Sequence, residues 1–360
     1  MSWYTIAMKK LQVFFGILAV VLLLSGCATT TTDTAQTETP KYDLGTIVAT
    51  KDGGKTWEYR KAASTGKTLL TPDVLAIEID PNDHQKVYVG TEKDGLFISK
   101  DGGTEWEKLT FPLTKIYGLS IGRDGVVYAS GVLNERAKIF KLDNAEAKWV
   151  EIYTEPSSGT TITALRSNVA DARMIYAGTI DGMVIKSVDG GATWTNMYKA
   201  DGPILRIAFD ATDQNSLYIG IFGKGILSTR DGGKTFEDLK HDLGIFKIGE
   251  DISSLAVDPV KSGVFYAGVS RGIIRGTNFG GTIEELNVLE SSKEFPVRAI
   301  AINPMNDSEL LYNAAQAVYK SVDGGKQWSV NQLEITRSVQ TIVYNPSNPQ
   351  VIYVGLRQIK

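Results

Sequence analysis

Five near-copies of one eight-residue phrase run through the chain: TKDGGKTW (Thr50–Trp57), SKDGGTEW (Ser99–Trp106), SVDGGATW (Ser187–Trp194), TRDGGKTF (Thr229–Phe236) and SVDGGKQW (Ser321–Trp328). Their aspartates, Asp52, Asp101, Asp189, Asp231 and Asp323, are separated by 49, 88, 42 and 92 residues. Two of those gaps are doubles of a period of about 45, so further copies are expected near 145 and 277. Decayed copies stand there. FKLDNAEAKW (Phe140–Trp149) keeps Asp143 and a Trp, and GTNFGGTIEEL (Gly276–Leu286) keeps Gly280 and Gly281 with Phe279 in the Asp position. Such a period means an array of small units that bury their apolar faces only against one another.

A second repeat says what the units are. Short apolar segments centred on Tyr88, Tyr128, Tyr176, Tyr218, Tyr266, Tyr312 and Tyr353 recur, most of them preceded by an alternating segment and an Asp-Pro or Asn-Pro turn. Period-two alternation between such turns is the strand signature. With the eight-residue box as a hairpin after each Tyr segment, a unit has four strands, which predicts propeller blades. The first box has no Tyr segment before it, and the last Tyr segment has no box after it. Leu44 to Tyr59 is therefore expected to supply two outer strands to a blade whose inner strands are Gln340 to Leu356. The fold class predicted is all-β: a seven-bladed propeller over 44–360, closed by its own two ends so that no sheet edge gapes between first and last blade.

Within a box, the Asp carboxylate can accept backbone N–H groups of its own turn. The two glycines supply conformations a Cβ resists. The aromatic residue, Trp57, Trp106, Trp194, Phe236 or Trp328, is expected to plug the space between neighbouring blades. Five equal copies spread around a ring make a frame, because catalysis needs one local constellation.

The N-terminus reads differently. Lys9 and Lys10 precede an apolar run, Leu11 to Leu24, that ends in Ser25, Gly26 and Cys27. A basic start, a short apolar stretch and small residues make a secretory signal over 1–26. LSGC is similar to the bacterial lipobox, which marks Cys27 for acylation; a second start at Met8 would leave this signal whole. Residues 27–43, rich in Thr, read as a tether from lipid to propeller. The expected location is outside the cytoplasm, lipid-anchored to a bacterial membrane. Ala28, where an Asp would favour retention at the inner membrane, favours the outer one in an organism that has one.

The S-x-D-G-G-x-T-W boxes resemble those of the BNR/Asp-box superfamily, which includes sialidases, sortilin-type receptors, xyloglucan-cleaving glycosidases and the photosystem II stability/assembly factors. The resemblance spans roughly 44–360 and implies the propeller; function differs across it. Sialidases carry a Phe/Tyr-Arg-Ile-Pro motif before their first box, and none occurs here; the nearest fragment, LRIA at Leu205–Ala208, lacks the Pro. Xyloglucan-cleaving members pair two propellers around a two-carboxylate cleft, and no carboxylate pair stands out in this sequence. GKT at Gly66–Thr68 has Lys61 where a phosphate loop needs Gly. Two distant histidines, His84 and His241, and one Cys make no metal site, and DPND at Asp80–Asp83 reads as a turn. No cofactor and no metal is expected.

The assembly factors share the seven-bladed plan, are often lipoproteins, and present an arginine patch to a client protein. In this chain Arg166, Arg206, Arg298 and Arg337 fall at or near inner-strand starts, where they would ring the channel mouth on the face opposite the boxes. The bland reading is solvated charge. The function expected is a monomeric, non-catalytic protein-binding or scaffold propeller, anchored to the membrane through Cys27. The alternative is a glycan-binding or glycoside hydrolase propeller with a surface glycan as partner. A formal charge of −3 for the whole chain, and twelve arginines without a basic run, give no footprint for nucleic acid.

Overall fold

A computed structural model describes residues 45–60, 62–64, 67–69, 72–143, 148–168, 170–239, 251–289 and 293–358. The signal segment, Cys27, the Thr-rich tether, Leu44, Gly66, the middle of the decayed box at 144–147, His241 with most of the loop from Lys240, and Lys360 lie outside the described residues.

Seven four-stranded antiparallel sheets make up the ring. Blade 2 covers 74–108, blade 3 116–154, blade 4 162–199, blade 5 204–238, blade 6 254–286 and blade 7 300–332. In each, sequence order runs from channel to rim, and the first strand touches the first strand of the next blade all the way round. Blade 1 is shared between the ends. Ile47–Thr50 pairs antiparallel with Ile352–Arg357, with Ala49 opposite Tyr353, and Glu58–Arg60 forms the outer edge while Ser338–Tyr344 faces the channel. The closure is the one the unpaired box and unpaired Tyr segment required. A short hairpin, Ala62–Ser64 with Lys67–Leu69, was not legible in the repeat.

Seven apolar clusters hold the ring together, one at every blade–blade junction. The second strand of each blade is buried on both faces, so it reads as a continuous apolar run. Its Tyr is buried in every blade. The hydroxyls of Tyr176 and Tyr353 donate to the carbonyls of Gly232 and Gly102 in the next blade's box, both at 3.0 Å. In five blades a glycine two residues beyond the Tyr lets the next inner strand approach; Ser130 and Ala314 hold that position in the other two. A Cβ on Gly90 would lie 2.7 Å from Ile116 Cγ2, and one on Gly355 2.6 Å from Val74 Cγ1.

Every intact box has one geometry. The Ser or Thr two residues before the Asp donates to its Oδ1 at 2.7–2.8 Å and accepts the N–H of the second glycine. Both glycines are left-handed, with φ of +73° and +93° at Gly53 and Gly54. The aromatic residue bridges to the preceding blade: Trp194 Nε1 donates to Ile152 O and Trp328 Nε1 to Asn287 O, each at 3.0 Å.

The decayed box of blade 6 corrects the sequence alignment. Phe279 does not take the Asp position. Asn278, Phe279 and Gly280 stand where an intact box has Asp-Gly-Gly, with φ of +59° at Phe279 and +96° at Gly280, and Asn278 is left-handed as well, at +51°. The Phe279 N–H donates to Gly263 O, as the first glycine of an intact box does to its own blade's turn, for example Gly102 to Gln85 O. Positive-φ positions, rather than the GG pair, set the register, and a Phe meets the one that the first glycine of an intact box holds, at a conformational cost. Its ring lies under the Arg230 guanidinium, 4.2 Å from the centroid. Beside this box the buried Tyr218 hydroxyl has no hydrogen-bond partner among the described residues.

Candidate functional site

The two faces of the ring are put to different use. In each intact box the first glycine's N–H donates to the Asp-Pro-type turn of its own blade: Gly53 to Gln350 O, Gly102 to Gln85 O, Gly190 to Arg173 O, Gly232 to Asn215 O and Gly324 to Ser308 O. Box and turn therefore share one face and satisfy one another there. The carboxylates are held ionised. At Asp52, Asp189 and Asp231 the hydroxyl of the Thr four residues on donates to the carboxylate, and this bond, followed by that residue's N–H, keeps the carboxyl well below its ordinary range; Asp189 falls to about 2. At Asp323 the Gln327 N–H leads, and Asp101 is lowered against the opposing effect of burial by the Glu105 N–H. Most of these bonds fall on Oδ1, so each carboxylate's first task is to order its own turn.

The other face carries the inner-strand starts and the connections between blades, and there the channel opens into a cavity of about 520 Å³. Its wall combines Leu75, Tyr117, Leu205, Phe222 and Pro296 with Arg206, Arg298 and Arg357. Arg206 is the third residue of the inner strand Ile204–Phe209, and Arg298 stands two residues before the inner strand of blade 7, Ile300–Asn303. Asp251 lines the same wall and accepts from Ser270 Oγ at 3.3 Å.

Below the mouth a smaller recess is lined by Glu78, Arg166 and Arg206. Arg166 pairs with Glu78 at 3.0 Å and donates to Leu119 O, so it links blades 2, 3 and 4. Burial pushes the Glu78 carboxyl up, and Arg166 opposes that shift. Burial, with Arg166 nearby, depresses the Arg206 guanidinium to about 10, still charged at neutral pH. Arg298 is lowered by burial and then by Arg357.

The four arginines read from the sequence thus separate. Arg206 and Arg298 line the mouth, and Arg166 stands deeper with Glu78. Arg337 lines neither cavity; it is ion-paired with Asp73 at the junction of blades 1 and 2. Arg357, the last residue of the final Tyr strand, lines the mouth and pairs with Glu92 at 3.3 Å. Sequence reasoning missed it because it looked only at inner strands. Among the described residues no group of three His, Cys, Asp or Glu converges as metal ligands.

Solved structures share this ring. The GH74 xyloglucanase from Xanthomonas campestris matches with a TM-score of 0.68 at 16% identity, over 83% of this chain and 52% of that one. YCF48 from Cyanidioschyzon merolae matches with a TM-score of 0.62 at 14% identity, over 79% of this chain and 95% of that one. A structure described as YCF48 bound to D1 peptide matches with a TM-score of 0.61 at 14% identity, over 81% and 94% of the two chains. The fold is that of a seven-bladed propeller. In sequence, a xyloglucanase from Paenibacillus sp. is 27% identical over 165 residues, 42% of this chain and 13% of that enzyme. The chain thus spans a small part of that relative and about half of the Xanthomonas enzyme. No family model matches. At such identities the likeness is one of architecture.

Proposed function

We propose that this protein is a non-catalytic binding propeller, anchored by lipid on Cys27 outside the cytoplasm, that captures another protein at the channel mouth. The observation that carries the reading is the contrast between faces. Box and turn on one face are hydrogen-bonded to each other in the same way in every intact box, while the mouth on the other gathers arginines and apolar side chains around an open cavity. The match to YCF48, solved with a bound peptide, supports a protein as partner.

The local likeness to a xyloglucanase supports the rival, a glycan-active propeller. A two-carboxylate mechanism needs paired acids across a groove. In the recess Glu78 is the one acid among the described lining residues, and Arg166 holds it.

The test uses the full chain carrying Cys27→Ser, which leaves no native thiol. A bulky maleimide on Phe222→Cys, at the mouth, should abolish partner capture from an envelope fraction. The same label on Val322→Cys, in a box on the opposite face, should leave it intact. Equal capture by both refutes the assignment of the face, and release of reducing sugar from xyloglucan establishes the rival.

A further inference from the structure

Six arginines among the described residues are partly buried: Arg166, Arg206, Arg275, Arg298, Arg337 and Arg357. Four have a carboxylate partner, respectively Glu78, Glu284, Asp73 and Glu92 for Arg166, Arg275, Arg337 and Arg357. Arg206 and Arg298 have none among the described residues, and both line the mouth cavity. Among the described residues the Arg206 guanidinium donates only to the neighbouring Leu205 carbonyl, at 2.8 Å. Each of the two stands beside a second arginine whose charge is already cancelled: Arg206 beside Arg166, and Arg298 beside Arg357. A partly desolvated cation without a counter-charge is costly, and the cost is recovered when an anion arrives.

The rest of the wall restricts which anion. Leu75, Tyr117, Leu205, Phe222 and Pro296 make much of it apolar, and Phe222 is 49% exposed. The volume, about 520 Å³, is that of a small-molecule site. A hydrated inorganic ion would leave this apolar surface wet. A polyanion would meet a chain that is acidic overall.

We propose that the mouth cavity binds an organic carboxylate bearing an apolar group, with the carboxylate held by Arg206 and Arg298 and the apolar part against Phe222, Tyr117 and Pro296. The guanidinium fork matches a carboxylate by two hydrogen bonds. The carboxylate can belong to a free small acid or to the C-terminus of a polypeptide. This inference rests on the mouth being the binding face and names the chemistry that the face accepts.

The probes are phenylacetate, its neutral isostere phenylacetamide, acetate, inorganic phosphate, and a five-residue peptide ending in Phe, either as free acid or amidated. Calorimetry and thermal shift on the full Cys27→Ser chain, at matched ionic strength, should show binding by phenylacetate and by the free-acid peptide. Phenylacetamide and the amidated peptide should fail, and acetate and phosphate should bind more weakly. Arg206→Gln and Arg298→Gln should each weaken phenylacetate roughly tenfold or more, the worth of a charge-assisted hydrogen bond. Arg337→Gln, whose side chain lies outside the cavity, should not.

Tighter binding of the free-acid peptide than of phenylacetate identifies a chain terminus as the source, and the reverse identifies a free acid. Binding of phenylacetamide equal to phenylacetate overturns the proposal, as does phosphate binding as tightly, and neither comparison needs a variant to fold. Unchanged affinity in a folded Arg206→Gln/Arg298→Gln double variant also overturns it. If no carboxylate binds while the Phe222 label still blocks partner capture, this inference fails and the assignment of the face stands.

Discussion

The glycine that follows five of the seven buried tyrosines by two residues makes the ring's geometry testable. At Gly178, a Cβ would lie 2.7 Å from Ile204 Cβ and closer still to Ile204 Cγ2. Ile204 begins the inner strand of blade 5 and is fully buried. Because its Cβ is fixed to the backbone, no rotamer relieves the contact, and the two blades must part. At Gly220 the nearest atom is Ile252 Cγ2 at 2.9 Å, and Ile252 Cβ is 3.7 Å away, so a small side-chain adjustment suffices. Overpacking a core costs typically ~1–3 kcal/mol, and replacing Gly by Ala at a compatible φ returns ~0.4–1. Gly178→Ala should therefore destabilise by about 1–2 kcal/mol, roughly 2–3 °C in Tm for a domain of about 310 residues. Gly220→Ala should stay within about 0.5 kcal/mol of the parent. Adding Ile204→Ala removes the γ carbons, so the double variant should cost about 1 kcal/mol less than the sum of the singles. Calorimetric melts of the four proteins decide it. Equal Tm for the two glycine variants, or strict additivity in the cycle, would refute the close approach as the reason for the glycine.

Other outcomes follow from the same structure. Tyr176→Phe removes the donor to Gly232 O and should cost about 1 kcal/mol, whereas Tyr218→Phe removes a buried hydroxyl without a partner and should be neutral or stabilising, so denaturant melts should shift in different directions. The box carboxyls are depressed in the folded state, so their contribution is present above the unfolded Asp value near 3.9 and is lost as pH falls toward about 2, the folded value at Asp189. Acid titration followed by circular dichroism should show stability falling through that window, and Asp189→Asn should flatten the dependence. Cys27→Ser should abolish metabolic labelling by a fatty-acid analogue and release the protein from the membrane pellet; continued labelling would place the lipid elsewhere.

The five boxes, their spacing and the Tyr segments determined blade number, strand count and closure, because a repeated unit with period-two alternation has few ways to bury its apolar face. Local chemistry was equally legible: a Ser or Thr, an Asp and two glycines within a few residues can close only a short list of turns. Where the repeat had decayed, letters misled. Gly280 and Gly281 look like the glycine pair, yet the backbone path runs through Asn278, Phe279 and Gly280, since φ is set by where the turn must sit against Gly263. Tertiary structure alone decided the candidate site. Arg206, Arg298 and Arg337 all lie at or near inner-strand starts, but Asp73 reaches Arg337, while Arg206 and Arg298 are left facing the cavity. Arg357 joins them from a different strand, and Glu78 captures Arg166 from a blade some ninety residues earlier. Whether a charge is spent or free depends on partners brought together by ring closure, and a one-dimensional period carries no record of which side chains meet across it.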